Sequence, residues 1–108
     1  MERNSSSTAN TQGNKEKKEY ELRLYVTGTS PNSLRSIINI KEICETFLKG
    51  RYNLDIIDVY QQEAIAKEEQ IIALPLLVKK FPLPERRMIG DLSQTNKVLK
   101  GLDLPAEP

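Results

Sequence analysis

The chain has 108 residues, 16 basic and 15 acidic side chains and a formal net charge of +1. This size suits one domain, and the balanced charge argues against long-range attraction to nucleic acid or anionic membranes. Cys44 is the single cysteine and histidine is absent, which excludes an internal disulfide, a CxxC pair and the commonest general base. No apolar run is long enough to span a membrane and the N-terminus is too polar for a secretory signal, so we expect a cytoplasmic protein.

The first 18 residues are mostly Ser, Thr, Asn, Gln, Gly and Lys, with almost no apolar side chains. Burial cannot offset the entropy of ordering such a segment, so we predict a disordered tail that is dispensable for folding. The folded domain is expected to cover residues 19–104, and residues 105–108 form a short C-terminal end.

The first half of the domain predicts a strand, a helix and a strand. Leu22, Leu24 and Val26 alternate with other residues, as in a half-buried strand. Ser30 is a good N-cap and Pro31 suits the first helical position. The helix carries a broad apolar stripe, and Gly50 is a plausible stop. The stripe comprises Leu34, Ile37, Ile38, Ile40, Ile43, Cys44, Phe47 and Leu48.

The next apolar segment is typical of an interior parallel strand, because it is apolar on both faces. This strand completes a right-handed βαβ unit. Its apolar residues are Leu54, Ile56, Ile57 and Val59. A short charged helix is then predicted between Gln62 and Gln70.

The second half allows two interpretations at two places. Residues 71–78 fit either a buried strand entered through Pro75 or a helix with Pro75 in its first turn, and periodicity does not decide between them for so short a run. Residues 86–90 could form a strand. Residues 97–104 fit either the end of a helix or a strand.

The order of these elements resembles thioredoxin, in which a cis proline precedes the third strand and lies beside the redox site. Pro75 occupies that place, and Ser30-Pro31-Asn32-Ser33 stands at the redox motif with hydroxyls in place of both sulfurs. Disulfide exchange needs a thiolate and a second thiol, so we treat a thioredoxin-like thiol oxidoreductase as the disfavoured alternative. Cys44 lies in the apolar stripe and is predicted to be a buried structural thiol.

Within this group the chain is identified as a member of the KaiB family, over about Tyr20 to Leu104. The matching motifs occur in KaiB order and at KaiB spacing. They are Leu24-Tyr25-Val26-Thr27-Gly28, Ser30-Pro31-Asn32-Ser33, Ile57-Asp58-Val59, Ala73-Leu74-Pro75, Phe81-Pro82-Leu83-Pro84, Arg86-Arg87-Met88-Ile89-Gly90-Asp91-Leu92-Ser93 and Gly101-Leu102-Asp103-Leu104.

The resemblance implies an α/β, thioredoxin-like and metamorphic fold. The free ground state would have the order βαββααβ in a tetramer or dimer, and the partner-bound monomer would have the order βαβαββα. The family binds the hexameric ATPase KaiC, helps to sequester KaiA and redirects histidine kinases in the circadian clock. The resemblance therefore implies a non-enzymatic regulator that has no cofactor or metal, binds no nucleic acid and does not insert into membranes.

The resemblance also suggests which residues form the fold-switch hinge and which contact partners. A fold-switch hinge is expected at Pro75, Gly101 and Asp103. We expect partner contacts from two regions, the charged segment after the second strand and the late basic cluster. The expected contact residues are Ile65, Glu68, Lys79, Arg86 and Arg87, and Lys80 completes the basic cluster. A solvated face with nothing attached is an equally weighted interpretation of that cluster.

Three differences from the family limit what the resemblance implies for this chain. The chain ends at Pro108 without the usual acidic tail, a polar segment precedes the domain, and Asp55 stands where the family commonly has lysine. Because the Asp55 strand helps to contact KaiA, KaiA binding is doubtful. These departures are compatible with a KaiB from a system without KaiA, and such systems are associated with stress adaptation.

Overall fold

The computed structural model describes residues 18–28, 30–60, 63–68 and 74–107. Seven elements follow in the order βαβαββα, which is one of the two predicted orders. The order βαββααβ remains a prediction for the free protein. The elements are β1 (Tyr20–Val26), α1 (Pro31–Phe47), β2 (Tyr52–Asp58), α2 (Glu63–Glu68), β3 (Leu76–Phe81), β4 (Arg86–Ile89) and α3 (Thr95–Gly101).

The described strands form one sheet with the order β2-β1-β3-β4. β1 pairs with β2 in parallel and with β3 antiparallel, and β4 pairs antiparallel with β3. The prediction that β2 is an interior strand is therefore wrong, since it lies at one end of the sheet. Asp55 and Ile56 of β2 are correspondingly exposed.

α1 begins where its capping residues predict. The Ser33 amide donates a hydrogen bond to Ser30 Oγ at 3.3 Å, and Pro31 occupies the first turn. The helix has 17 residues and ends at Phe47, and the Leu48 amide then donates to the Cys44 carbonyl at 2.8 Å. Gly50 lies in the following turn with a φ of 77°. A glycine adopts this conformation without the cost that a Cβ would add.

The alternation of β1 divides the core into two clusters on opposite faces of the sheet. Leu22 and Leu24 face the larger cluster, which joins β1 to α1, β3 and α3, whereas Tyr25 faces a smaller cluster with Leu76 and Val78. The larger cluster also contains Ile40, Ile43, Cys44, Leu48, Leu77, Val98, Leu99 and Leu102.

Both ambiguous segments of the second half have one conformation in this structure. Residues 76–81 form β3 and residues 95–101 form α3, while residues 71–73 lie outside the described part of the chain. The Tyr20 hydroxyl donates to the Leu102 carbonyl at 3.1 Å and so joins β1 to the end of α3. Val98, Leu99 and Leu102 are buried at helical spacing, so this segment packs one apolar face into the core.

No helix within the described ranges has the length and apolar character needed to cross a lipid bilayer.

Candidate functional site

The two serines at the position of the thioredoxin redox motif hold the start of α1. Ser30 Oγ accepts the Ser33 amide, and Ser33 Oγ accepts the Thr27 amide at 3.1 Å. Ser33 is fully buried. The peptide bond before Pro75 is cis, as the resemblance to thioredoxin implied. The Ser30 hydroxyl therefore caps the first turn of α1, and the Ser33 hydroxyl ties that turn to the loop after β1. Cys44, the single cysteine, lies further along α1.

The cysteine lies in the core. Cys44 has no exposed surface, and burial raises the pKa of its thiol to about 12. A thiol with this pKa is protonated at neutral pH, whereas disulfide exchange requires the thiolate. The structural role predicted for Cys44 is consistent with this position.

The late basic cluster divides between the surface and the interior. Arg86 and Arg87 of β4 are exposed, whereas Lys79 of β3 is fully buried. Lys79 Nζ donates to Asp103 Oδ2 at 2.5 Å, and Arg86 Nη2 donates to Asp103 Oδ1 at 3.2 Å. The expectation that Lys79 contacts a partner directly does not fit this arrangement, because its ammonium group binds Asp103 beneath the surface.

The three expected hinge residues lie around β3, β4 and α3. The Pro75 carbonyl accepts the Gly90 amide at 3.0 Å, next to the first residue of β3. Gly101 is the last residue of α3, and a Cβ at that position would overlap the Met88 side chain. Asp103 follows α3 with a φ of 61° and binds Lys79 and Arg86. Two of the three residues, Gly101 and Asp103, therefore connect the end of α3 to the sheet.

The remaining expected contact residues lie on α2. Glu68 is exposed at the end of this helix. Ile65 lies within α2, and its side chain is outside the described part of the structure.

Several exposed apolar side chains were missed by the sequence interpretation. Ile38 of α1 is 62% exposed although it lies in the apolar stripe, and Ile89 of β4 is 64% exposed. Of the tyrosines, Tyr60 is exposed whereas Tyr20 and Tyr25 are buried. The width of the stripe on α1 was the available signal, because a stripe broader than the face that packs on the sheet must leave some members in water.

The Lys79–Asp103 pair leads to a prediction about stability. We expect Lys79→Met to be as stable as the wild type or more stable, because an apolar side chain replaces a buried ammonium and the exposed Asp103 retains Arg86. We expect Asp103→Asn to be less stable, because it leaves the Lys79 charge buried and unpaired. The Lys79–Asp103 pair belongs to the order βαβαββα. The fraction of each protein with helical backbone NMR shifts at residues 95–101 therefore measures this difference. Equal losses in both variants would show that the ion pair itself stabilises the domain.

The same pair predicts how the stability of this fold changes with pH. The hydrogen bond from Lys79, with the nearby positive charges, lowers the pKa of Asp103. A carboxyl with a depressed folded-state pKa stabilises the fold above its unfolded value of about 3.9, and this contribution disappears as pH falls through the folded value. The difference in that helical fraction between wild type and Asp103→Asn should therefore shrink as the pH falls below about 3.9 and through the lower folded-state pKa. A constant difference over that range would contradict this assignment.

Comparisons with known proteins cover most of the described chain. The KaiB domain family model matches residues 23–104. The chain is 52% identical over 88 residues to the circadian clock oscillator protein KaiB of Prochlorococcus marinus subsp. pastoris, covering 82% of each chain. It is 50% identical over 88 residues to the circadian clock oscillator protein KaiB of Synechococcus elongatus, covering 82% of this chain and 86% of the relative.

Solved structures share the fold at low sequence identity. The N-terminal domain of Synechococcus elongatus SasA superposes with a TM-score of 0.65 and 21% identity, covering 87% of this chain and 92% of that one. Mitochondrial thioredoxin 3 from Saccharomyces cerevisiae, in its oxidized form, superposes with a TM-score of 0.65 and 16% identity, covering 81% and 80%. At these identities the likeness shows a thioredoxin-like fold.

Proposed function

The chain belongs to the KaiB family of circadian clock proteins, and from this premise we propose that it binds a KaiC-type hexameric ATPase and modulates its phosphorylation and output signalling. The observation that carries the proposal is the match over residues 23–104, since this range contains every described element except the first residues of β1. The protein acts by binding and not by catalysis, and its location is the cytoplasm.

The charged residues of the described surface support a contact role. Arg86 and Arg87 extend from β4, at the end of the sheet opposite β2, and both are exposed. Exposed arginines suit an acidic partner surface, because complementary charge steers association and fixes orientation. Glu68 and Ile65 of α2 complete the proposed contact residues, and Lys79 acts indirectly by holding Asp103.

The oligomeric state and the other partners belong to the same proposal. The free protein is a tetramer or dimer with the order βαββααβ, and the ATPase-bound protein is a monomer with the order described above. Histidine kinases are further partners, whereas KaiA binding is doubtful because Asp55 of β2 is acidic and exposed. A KaiA-independent stress-adaptation system is the setting that agrees with this difference.

Light scattering after size-exclusion chromatography tests the proposal. The full chain is mixed with a purified KaiC-type hexamer from the same organism and ATP. We expect the two proteins to co-elute, with a mass above that of the hexamer alone. Separate elution at protein concentrations in the high micromolar range would refute the proposal.

The second candidate function is tested in a separate assay. We expect no reduction of insulin disulfides by the chain with a dithiol as reductant, because Ser30 and Ser33 lack sulfur and Cys44 is buried. Turnover above a control without protein, lost on replacing Cys44 by serine, would instead support a thiol oxidoreductase.

Gly101 gives a prediction about the proposed switch. Alanine is more favourable than glycine in a helix by about 1 kcal/mol, which corresponds to about fivefold in population. Gly101→Ala should therefore favour α3 and accelerate binding to the ATPase, to the extent that the half-buried Met88 side chain can move aside.

A matched pair of variants separates the gain in helix propensity from the clash with the Met88 side chain. In a Met88→Ala background the new Cβ no longer meets the Met88 sulfur, so Gly101→Ala should give the full acceleration there and a smaller one in the wild type. Stopped-flow binding measures both rates. No change in either background would show that Gly101 does not control the switch.

A further inference from the structure

A cavity of about 430 Å³ lies between β4, the loop of residues 90–94 and the N-terminal half of α3. Met88, Leu92 and Val98 provide its apolar lining, and Leu92 and Val98 are buried. Ile89 also lines the cavity and is 64% exposed. The volume falls within the range of about 300–1,000 Å³ that is usual for ligand sites.

The charged groups of this cavity favour an acidic ligand. Arg87 and Lys97 line it and are exposed. Arg87 Nε lies 3.7 Å from Glu85 Oε2, an exposed ion pair that a ligand carboxylate can replace at little cost. Among the described residues that line the cavity, Asp91 is the one with an acidic side chain. It accepts the Ser93 amide at 3.0 Å and lies 3.5 Å from Arg35 Nε.

The neighbouring strand offers a backbone edge beside the cavity. β4 lies at the end of the described sheet. The Gly90 amide points to β3, because it donates to the Pro75 carbonyl. Successive residues of a strand direct their backbone groups to opposite sides, so those of Ile89 point away from β3. An extended peptide could therefore add to this edge, as in other cases of strand addition.

We propose that this cavity takes an extended acidic peptide with one bulky apolar side chain. The apolar side chain enters between Met88, Leu92 and Val98, the flanking carboxylates bind Arg87 and Lys97, and the backbone follows β4. The inference rests on the proposed function, since it names the chemistry of a partner segment. Residues 1–17 of this chain do not fit that description, because Met1 is their one bulky apolar residue and they carry three cations against two acids.

Titrations with short peptides test this site without the ATPase. The full isotope-labelled chain is titrated with the capped peptide Glu-Asp-Leu-Phe-Asp-Glu, followed by NMR. We expect saturable shifts of the amide signals of residues 88–94 and 97–98. The capped peptides Lys-Lys-Leu-Phe-Lys-Lys and Glu-Asp-Ser-Ser-Asp-Glu should bind at least about tenfold more weakly, because each lacks either the charge or the apolar group.

Charge reversal of Lys97 gives the matched variant. Lys97→Glu should weaken binding of the acidic peptide about tenfold while preserving α3, because an acid near the helix N-terminus is favourable. Lys49→Glu, at an exposed position in the turn after α1, should leave the affinity unchanged.

Three results would overturn the site: no binding of the acidic apolar peptide, equal binding of the serine-containing or basic peptide, or full displacement by inorganic phosphate at the same ionic strength. If the peptide does not bind but the ATPase co-elutes, this inference fails and the proposed function stands. If the peptide binds but no ATPase complex forms, the proposed function fails and the peptide site stands.

Discussion

Ile40→Ala is expected to lower the free energy of unfolding by about 2–5 kcal/mol, the usual loss for a large apolar side chain removed from a packed core. Ile40 has no exposed surface and lies in the larger cluster that joins α1 to the sheet. Total stabilities of small domains are about 5–15 kcal/mol, so this one change removes a large share. Urea unfolding measured by circular dichroism gives the value.

Ile38→Ala is the matched control for this prediction. Ile38 has the same side chain in the same helix and is 62% exposed. Replacing isoleucine by alanine raises the helix propensity equally at both positions, but Ile38→Ala removes much less buried apolar surface than Ile40→Ala. We expect a change within about 0.5 kcal/mol of zero. Equal destabilisation by the two substitutions would show that the two faces of α1 are assigned wrongly.

Arg86→Gln together with Arg87→Gln is expected to weaken binding to a KaiC-type ATPase by at least about tenfold. These arginines provide exposed positive charge along β4, and glutamine keeps most of the side-chain length without the charge. The affinity of the wild type should also fall with added salt more steeply than that of the variant, because screening acts on charge pairs.

The control for this variant neutralises two other exposed cations. Lys41→Gln with Lys49→Gln makes the same change in net charge on α1 and in the turn that follows it. We expect its affinity to remain within about twofold of the wild type. Because Arg86 also binds Asp103, the urea midpoint of each variant is measured alongside. Equal losses of affinity in both double variants would show that total charge, and not the β4 surface, controls binding.

The first half of the domain could be predicted because its signals are local. Ser30 and Pro31 define the start of α1 through bonds within one turn, and the alternation of Leu22 and Leu24 defines β1. The same reasoning placed Ile38 and Ile40 together in one stripe. Their separation into exposed and buried positions depends on which part of α1 the sheet covers, and that is a property of the whole fold.

The wrong prediction for β2 has a related cause. Its apolar residues suggested burial on both faces, but the position of a strand in a sheet depends on which strands pair beside it. β3 pairs on the other side of β1, so β1 becomes interior and β2 takes the end of the described sheet. Nothing in residues 52–58 alone specifies that pairing.

Lys79 shows the limit of a charge pattern as a guide to a binding surface. Adjacent lysines at positions 79 and 80 suggested a solvated basic cluster, yet alternation along β3 directs Lys79 into the interior. The acid that compensates it, Asp103, lies 24 residues away in sequence. The second half was ambiguous for the same reason, since its conformation depends on such long-range contacts and not on periodicity.

Backbone NMR chemical shifts of the isotope-labelled chain in complex with a KaiC-type ATPase measure most directly whether the partner-bound protein has the order βαβαββα. We expect strand shifts for Leu76–Phe81 and helical shifts for Thr95–Gly101 in the complex, and the opposite assignment for the second segment in the free protein. Strand shifts at Thr95–Gly101 in the bound chain would contradict this account.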